Sequence, residues 1–303
     1  MAPLKTQWTR LIRFVAAETS QIHIGQPIDR HIDVGLAASK NQTIKAYEIV
    51  GSALDTNAEV TNTVLTVAKL LPPLSREQIG VVRCLGLNYA DHAAEAKMQK
   101  PTYPVLFYKP PTALIGPGAP ITIPKVTQPV EKHLPDYEVE LTIVIGKACK
   151  NVSEADALDY VLAYTGANDM SFRYHQMAVS QWGFSKGFDN ATPIGPCLVS
   201  AAAIPDPQQV PLKTTVNGTL YQDGNTSDHI FNVRQTIAFL SQGTTLLPGS
   251  VIMTGTPKGV GFVKKPPVYL KNGDSVTVWV GGGIGSLVNP VIEEAAPATK
   301  AKL

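Results

Sequence analysis

The chain has 303 residues, 44% of them hydrophobic, with 26 Lys and Arg against 24 Asp and Glu and a formal net charge of +2. That length supports a sizeable buried core in one large domain or two. The near balance of charge, with no basic block, leaves no electrostatic footprint for nucleic acid, and no apolar run approaches the ~18 residues of a membrane span. Cys84, Cys149 and Cys197 are odd in number and widely spaced. They fit packing in a reducing compartment better than a disulfide framework.

In chain order, Arg10–Ala16, Gln21–Gly25 and Lys45–Gly51 read as strands, and Thr61–Leu70 reads as a helix stopped by Pro72-Pro73. Residues 1–74 therefore form a small β-rich unit without a catalytic constellation. Lys5, Arg10 and Arg13 precede the first acid, Glu18, as in a transit peptide, but a strand at Arg10–Ala16 is the simpler reading. After an apolar run at Ile79–Leu87, the composition from Asp91 favours a helix that places His92 and Glu95 three apart on one face. That spacing suits an imidazole base oriented by a carboxylate, and equally an ordinary surface pair. Lys109, among aromatic and proline neighbours in PVLFYKPP, is as easily structural as functional.

The stretch Asp136–Gly146, DYEVELTIVIG, has a period of two. Glu138 and Glu140 then project from the same face of one strand. Such a pair is either a solvated acidic edge or a set of hard oxygen ligands for Mg²⁺, Mn²⁺ or Ca²⁺. Ser153-Glu154-Ala155-Asp156 predicts a capping box opening a helix through about Tyr164. Asp169, Arg173 and Gln176 follow at i, i+4 and i+7, which on a helix would place a carboxylate, a cation and an amide on one wall. Residues 181–196 read as a loop carrying Lys186, which is either solvated or aimed at a developing oxyanion. The last third predicts a hairpin about Asn217-Gly218, a helix over about 231–241, a strand over 250–253 and another over 276–280. The turn Thr254–Gly261 lacks a phosphate-loop spacing, yet its backbone N–H groups and hydroxyls suit a carboxylate.

Six of these segments, GLNYADHAAEA, PVLFYKP, DYEVELTIVIG, GANDMSFRYHQ, KGFDNATPIGP and LLPGSVIMTGTPKGVGF, occur in an order that resembles the fumarylacetoacetate hydrolase superfamily from about Val82 to Val291. The style of GLNYADH and PVLFYKP is similar to its eukaryotic domain-containing branch, which includes oxaloacetate tautomerases. The resemblance implies an α+β, β-rich fold. Its core would be a mixed β-sandwich or β-roll (residues 75–295), preceded by the small N-terminal domain and followed by a flexible tail at 296–303. It implies a homodimer and a divalent metal, Mg²⁺ with Mn²⁺ or Ca²⁺ as substitutes, held by Glu138, Glu140 and Asp169. It further implies Lys186 as the active-site lysine, Arg173 and Gln176 as ligand contacts, His92 and Glu95 as a dyad on a lid, and Thr256 as a receiver of a substrate carboxylate or oxygen.

The activity so implied is hydrolysis of a C–C bond in a 2-oxo or 1,3-diketo acid of the acylpyruvate or fumarylacetoacetate kind, the metal and Lys186 stabilising the enolate that leaves. The same parts serve an oxaloacetate tautomerase or decarboxylase, or act on a polyketide-derived diketone. A metal-binding scaffold without catalysis is the alternative from another class. The partner is a small oxo acid, with no nucleic acid and no membrane. The C-terminal Ala301-Lys302-Leu303, a near match to a Ser-Lys-Leu signal, makes the expected location cytoplasmic or peroxisomal.

Overall fold

A computed structural model describes residues 4–295. The tail expected to be flexible, residues 296–303 with the C-terminal tripeptide, lies outside the described residues. In chain order the elements are β1 (Arg10–Ala16), β2 (Ile22–Pro27), α1 (Val34–Ser39), β3 (Lys45–Val50), β4 (Glu59–Leu71), β5 (Val82–Gly86), α2 (Ala90–Glu95) and β6 (Val105–Lys109). There follow β7 (Leu114–Ile115), β8 (Ile121–Ile123), α3 (Val130–His133), β9 (Pro135–Asp136), β10 (Val139–Ile145), β11 (Val161–Asn168), β12 (Ser171–Phe172), α4 (Arg173–Ala178) and α5 (Gly183–Lys186). The chain finishes with β13 (Thr192–Ser200), β14 (Pro211–Val216), β15 (Thr219–Asn225), α6 (Val233–Leu240), β16 (Val251–Met253), β17 (Ser275–Val280) and β18 (Gly285–Glu293). Among the described residues no helix is long and apolar enough to cross a membrane.

The expected β-rich α+β fold is what forms. Strands β1 to β4 pair in a closed antiparallel circuit, because β1 bonds both β2 and β4 while β3 bonds the other side of each. This circuit joins the rest through β1 against β13, Arg10 opposite Val199 and Leu11 opposite Leu198. From β13 the large sheet continues through β11, β10, β16, β5 and β6. A second sheet, β15-β14-β17-β18-β8, packs across β10 and β11. Pairings are mostly antiparallel, with parallel joints at β16–β5, β13–β7 and β18–β8 that make both sheets mixed.

Being covered on both faces explains why all residues of β10, β11 and β13 are buried. It also decides between two open readings of the acidic strand. Glu138 and Glu140 are 5% and 1% exposed, so they form no solvated edge.

Two predicted helices are strands instead. Thr61–Leu70 lies in β4, where Val60, Thr61, Thr63, Val64, Thr66 and Val67 are β-branched residues that favour a pleated strand, and both β1 and β3 offer it partners. At Ser153 the local cap does form, with Ser153 Oγ 2.7 Å from Asp156 Oδ2. Only a short 3₁₀ turn at Ala157–Tyr160 follows before β11 pairs along the whole of β10. Long-range pairing there overrides a local start signal. The stretch expected to be a loop around Lys186 holds α5 and the first residues of β13.

Candidate active site

The site grows from the β10–β11 pair. Asp169, just beyond β11, donates its N–H to the Glu138 carbonyl at 2.8 Å, and the Glu138 N–H reaches Asn168 Oδ1 at 3.0 Å. This clamp brings carboxylate oxygens of Glu138, Glu140 and Asp169 within 4.8 Å of one another. The helical spacing expected for Asp169, Arg173 and Gln176 does not exist, because Asp169 precedes β12 and α4 begins at Arg173. Arg173 and Gln176 do meet, with Nη1 2.9 Å from Oε1.

Three buried cations face the carboxylates. Lys186 Nζ lies 2.8 Å from Glu138 Oε2 and 2.7 Å from Asp169 Oδ2. Lys109 Nζ lies 2.7 Å from Asp169 Oδ1 and 2.9 Å from Thr192 Oγ1, and it also donates to the Lys186 carbonyl. Arg173 spans Glu138 Oε1, at 2.7 Å, and Asp136 Oδ2, at 2.8 Å. Asp136 in turn accepts the Gly261 and Phe262 N–H groups at 2.8 and 2.9 Å, which ties the Thr254–Gly261 turn to the cluster.

Charge is not balanced within this cluster. Four buried carboxylates, Asp136, Glu138, Glu140 and Asp169, meet three cations, Lys109, Arg173 and Lys186. The shortfall falls on Glu140, which accepts the Gly255 N–H at 2.7 Å and has no cation at ion-pair distance among the described residues. Burial first, then the Asp169 and Glu138 charges, raise its pKa well above the ordinary carboxylate value. Burial also works to raise Glu138, but Lys186 and Arg173 overcome it and hold that carboxyl below the ordinary value. Conversely, burial alone would lower Lys186, and Asp169 with Glu138 raise it. A buried, uncompensated carboxylate beside two more oxygen donors fits a hard divalent cation.

Helix α2 closes over this cluster. His92 Nδ1 is 2.8 Å from Glu95 Oε1, and both Glu95 oxygens accept the Gly259 N–H at 2.9 Å. Asn88 fastens the start of the helix, donating to the Thr254 and Phe231 carbonyls at 2.8 and 3.1 Å and accepting the Phe231 N–H at 2.8 Å. Thr256 Oγ1 accepts from Gln222 Nε2 at 2.7 Å. Behind the helix, the ring of half-buried His229, its Nε2 shielded from solvent, packs edge-on against Tyr89, with centroids 4.6 Å apart. Burial pushes His229 from an ordinary 6.5 down to about 3. A depressed folded pKa means that the unfolded state binds the proton more readily. This contribution to stability is therefore complete above pH 6.5 and is lost as pH falls toward 3. Unfolding free energies from urea titrations should drop between pH 7.5 and 4.5 with a slope component of up to ~1.4 kcal/mol per pH unit. His229→Gln should flatten that component.

Between α2, α4, α5 and the Thr254–Gly261 turn lies a cavity of about 400 Å³. His92, Glu138, Arg173, Gln176, Lys186 and Thr256 line it, whereas Glu95, Glu140 and Asp169 stand behind them. Its outer part is apolar, with Met98, Met177, Val179, Trp182 and Phe262. Gly86 makes room for one of these walls, since a Cβ there would fall 2.1 Å from Trp182 Cζ3. Gly86→Ala should displace the indole into the cavity and cost about 1–3 kcal/mol in urea unfolding. It should also raise KM for bulky substrates more than it lowers kcat.

Residues 81–292 match the fumarylacetoacetate (FAA) hydrolase C-terminal family. The chain belongs to that family. Within it, the chain is 59% identical over 296 residues to caffeoylpyruvate hydrolase of Neonothopanus nambi, covering 97% of this chain and 96% of that protein. It is 40% identical over 249 residues to the mitochondrial oxaloacetate tautomerase fahd2 of Xenopus laevis, covering 82% of this chain and 75% of that one. Among solved structures of this fold, 2-hydroxyhepta-2,4-diene-1,7-dioate isomerase from Mycobacterium marinum superposes with a TM-score of 0.77 at 34% identity, covering 95% of this chain and all of that one.

Two further members of the cluster carry no functional signal in the sequence, and Lys109, open there between a structural and a functional reading, is buried within it. Asp136 opens the acidic stretch but reads as a strand end, and nothing local marks Gln222. Lys109 did carry a signal. In β6 it shares a face with Phe107, and a lysine on an inward-facing strand position needs a buried counter-charge.

Proposed function

We propose that this family member is a divalent-metal-dependent hydrolase that cleaves the C–C bond of an acylpyruvate, a 2,4-dioxo acid, with an extended apolar or aryl acyl group. The observation that carries the reading is the two-part cavity. A polar end rich in buried charge adjoins an apolar outer part lined by Met98, Met177, Val179, Trp182 and Phe262. The near-full-length likeness to a caffeoylpyruvate hydrolase supports it. A four-carbon diacid such as oxaloacetate would leave that apolar part unfilled.

Glu138, Glu140 and Asp169 would hold the metal, which when bound supplies a Lewis acid for the keto oxygens of the substrate. Arg173, Gln176 and Thr256 would receive the substrate carboxylate. With Glu95 accepting at Nδ1, His92 keeps its proton there and presents Nε2 as the base. His92 takes a proton from water, and the hydroxide adds to the acyl carbonyl carbon. The C–C bond to the methylene then breaks, its electron pair passing into the pyruvate enolate. Lys186 donates to the developing enolate oxygen, and the imidazolium returns its proton to the methylene carbon. The products are a carboxylic acid and pyruvate, so atoms balance with one water consumed.

The test is turnover of caffeoylpyruvate and oxaloacetate by chelated protein before and after Mg²⁺ or Mn²⁺ is restored. Acid and pyruvate released only with metal is the expected result. Keto–enol exchange or CO₂ release on oxaloacetate, with acylpyruvates untouched, would assign the site to the tautomerase or decarboxylase chemistry. Metal binding without turnover on either would leave a scaffold.

The working assembly in this reading is a homodimer of chains in which residues 1–74 are structural and residues 75–295 catalytic. Exposed Tyr174 and Phe184, which are 43% and 61% accessible on α4 and α5, support a covered face there, and sedimentation measures it. Three buried free cysteines support a reducing compartment, cytoplasm or peroxisome.

A further inference from the structure

Away from the catalytic cavity, a second cavity of about 300 Å³ lies where the N-terminal strands meet the second sheet. Arg10, Arg30, His31 and Asp33 line it together with Trp279 and the glycine turn after β17. Arg10 occupies a β1 position that shares a face with the fully buried Ile12 and Phe14, and it is itself only 6% exposed. Its Nη1 donates to the Arg30 carbonyl at 3.1 Å, and its Nη2 has only the Cys197 sulfur, at 3.8 Å. Nε is buried with no hydrogen-bond partner. No carboxylate of the described residues pairs with this guanidinium. Asp33, the acid beside it, is already engaged by the Leu36 and Ser286 N–H groups and the Ser286 hydroxyl.

A buried cation with no carboxylate at ion-pair distance and an unsatisfied N–H is costly. The turn beside it adds donors. Gly282 and Gly283 have φ of 67° and 85°, a left-handed backbone suited to glycine, and neither N–H is engaged in a hydrogen bond among the described residues. We propose that this cavity is a second anion-binding site, separate from the catalytic one, that takes a small carboxylate or phosphate between Arg10, Arg30 and the Gly282-Gly283 backbone. The guanidinium supplies the fork that both kinds of oxyanion accept.

The test is calorimetric titration of the full chain with inorganic phosphate and, separately, with acetate at constant ionic strength. Wild type, Arg10→Met and Arg30→Ala are compared. Saturable binding of one or both anions is expected, with loss of that site in Arg10→Met and an affinity about fivefold weaker in Arg30→Ala, the scale of one exposed charge contact. Whichever anion binds identifies the oxyanion chemistry. Arg30 is exposed, so its replacement should leave folding intact and decides the matter if Arg10→Met does not fold. No binding at tens of millimolar overturns the proposal. So does binding that neither substitution weakens, which would place the anion elsewhere, the catalytic cavity included.

Discussion

Lys186→Met is expected to lower acylpyruvate turnover by roughly 10²–10³ and to destabilise the metal-free protein by about 3–5 kcal/mol. The activity loss follows because Lys186 is the ammonium that lines the cavity beside Glu138 and can donate to a developing oxyanion. The stability loss follows because its Nζ bridges Glu138 and Asp169 at 2.8 and 2.7 Å with almost no exposure. Without it, two buried carboxylates face the already uncompensated Glu140. A divalent cation should then recover part of the loss, so the Mg²⁺-induced rise in urea midpoint should be larger in the variant than in the wild type. No rise in either protein would show that the carboxylate trio does not hold the ion.

His92→Ala should separate chemistry from structure. Loss of a positioned base lowers kcat by about 10²–10⁴. Metal affinity should change far less than kcat, since the imidazole bonds Glu95 and, among the described residues, hydrogen-bonds none of the three carboxylates. Glu95→Gln should lower kcat by a smaller factor while keeping KM close to the wild-type value, because an amide can still accept the Gly259 N–H but orients a neutral imidazole less firmly. The readout is steady-state kinetics beside a metal titration on the same preparations. A His92→Ala protein that retains wild-type kcat would remove the dyad from the mechanism.

Much of the site is legible along the chain because its members sit in short local patterns. A strand period of two places Glu138 and Glu140 together, and a helix turn places His92 beside Glu95. Both arrangements are present, the second at 2.8 Å. Local signals give way where pairing with another strand decides the conformation. Thr61–Leu70 has the apolar spacing of a helix, but its β-branched residues and two waiting neighbours make it a strand. Val161–Asn168 abandons a well-formed local cap for pairing with β10.

What the sequence determined by itself was the type of chemistry. Paired acids, an imidazole with a carboxylate and isolated lysines recur at spacings that backbone geometry converts into contacts over one strand or one turn. Only the tertiary structure decided which of these groups are buried together. Lys109 meets Asp169 from 60 residues away along the chain, and Lys186 meets Glu138 from 48. The burial that turns four acids and three bases into one interacting cluster comes from the two sheets closing over β10 and β11. The physical reason is that charge responds to its surroundings. The same carboxylate is a solvated edge in water and a ligand in waiting inside a sandwich, and only the packing of residues far apart in sequence chooses between them.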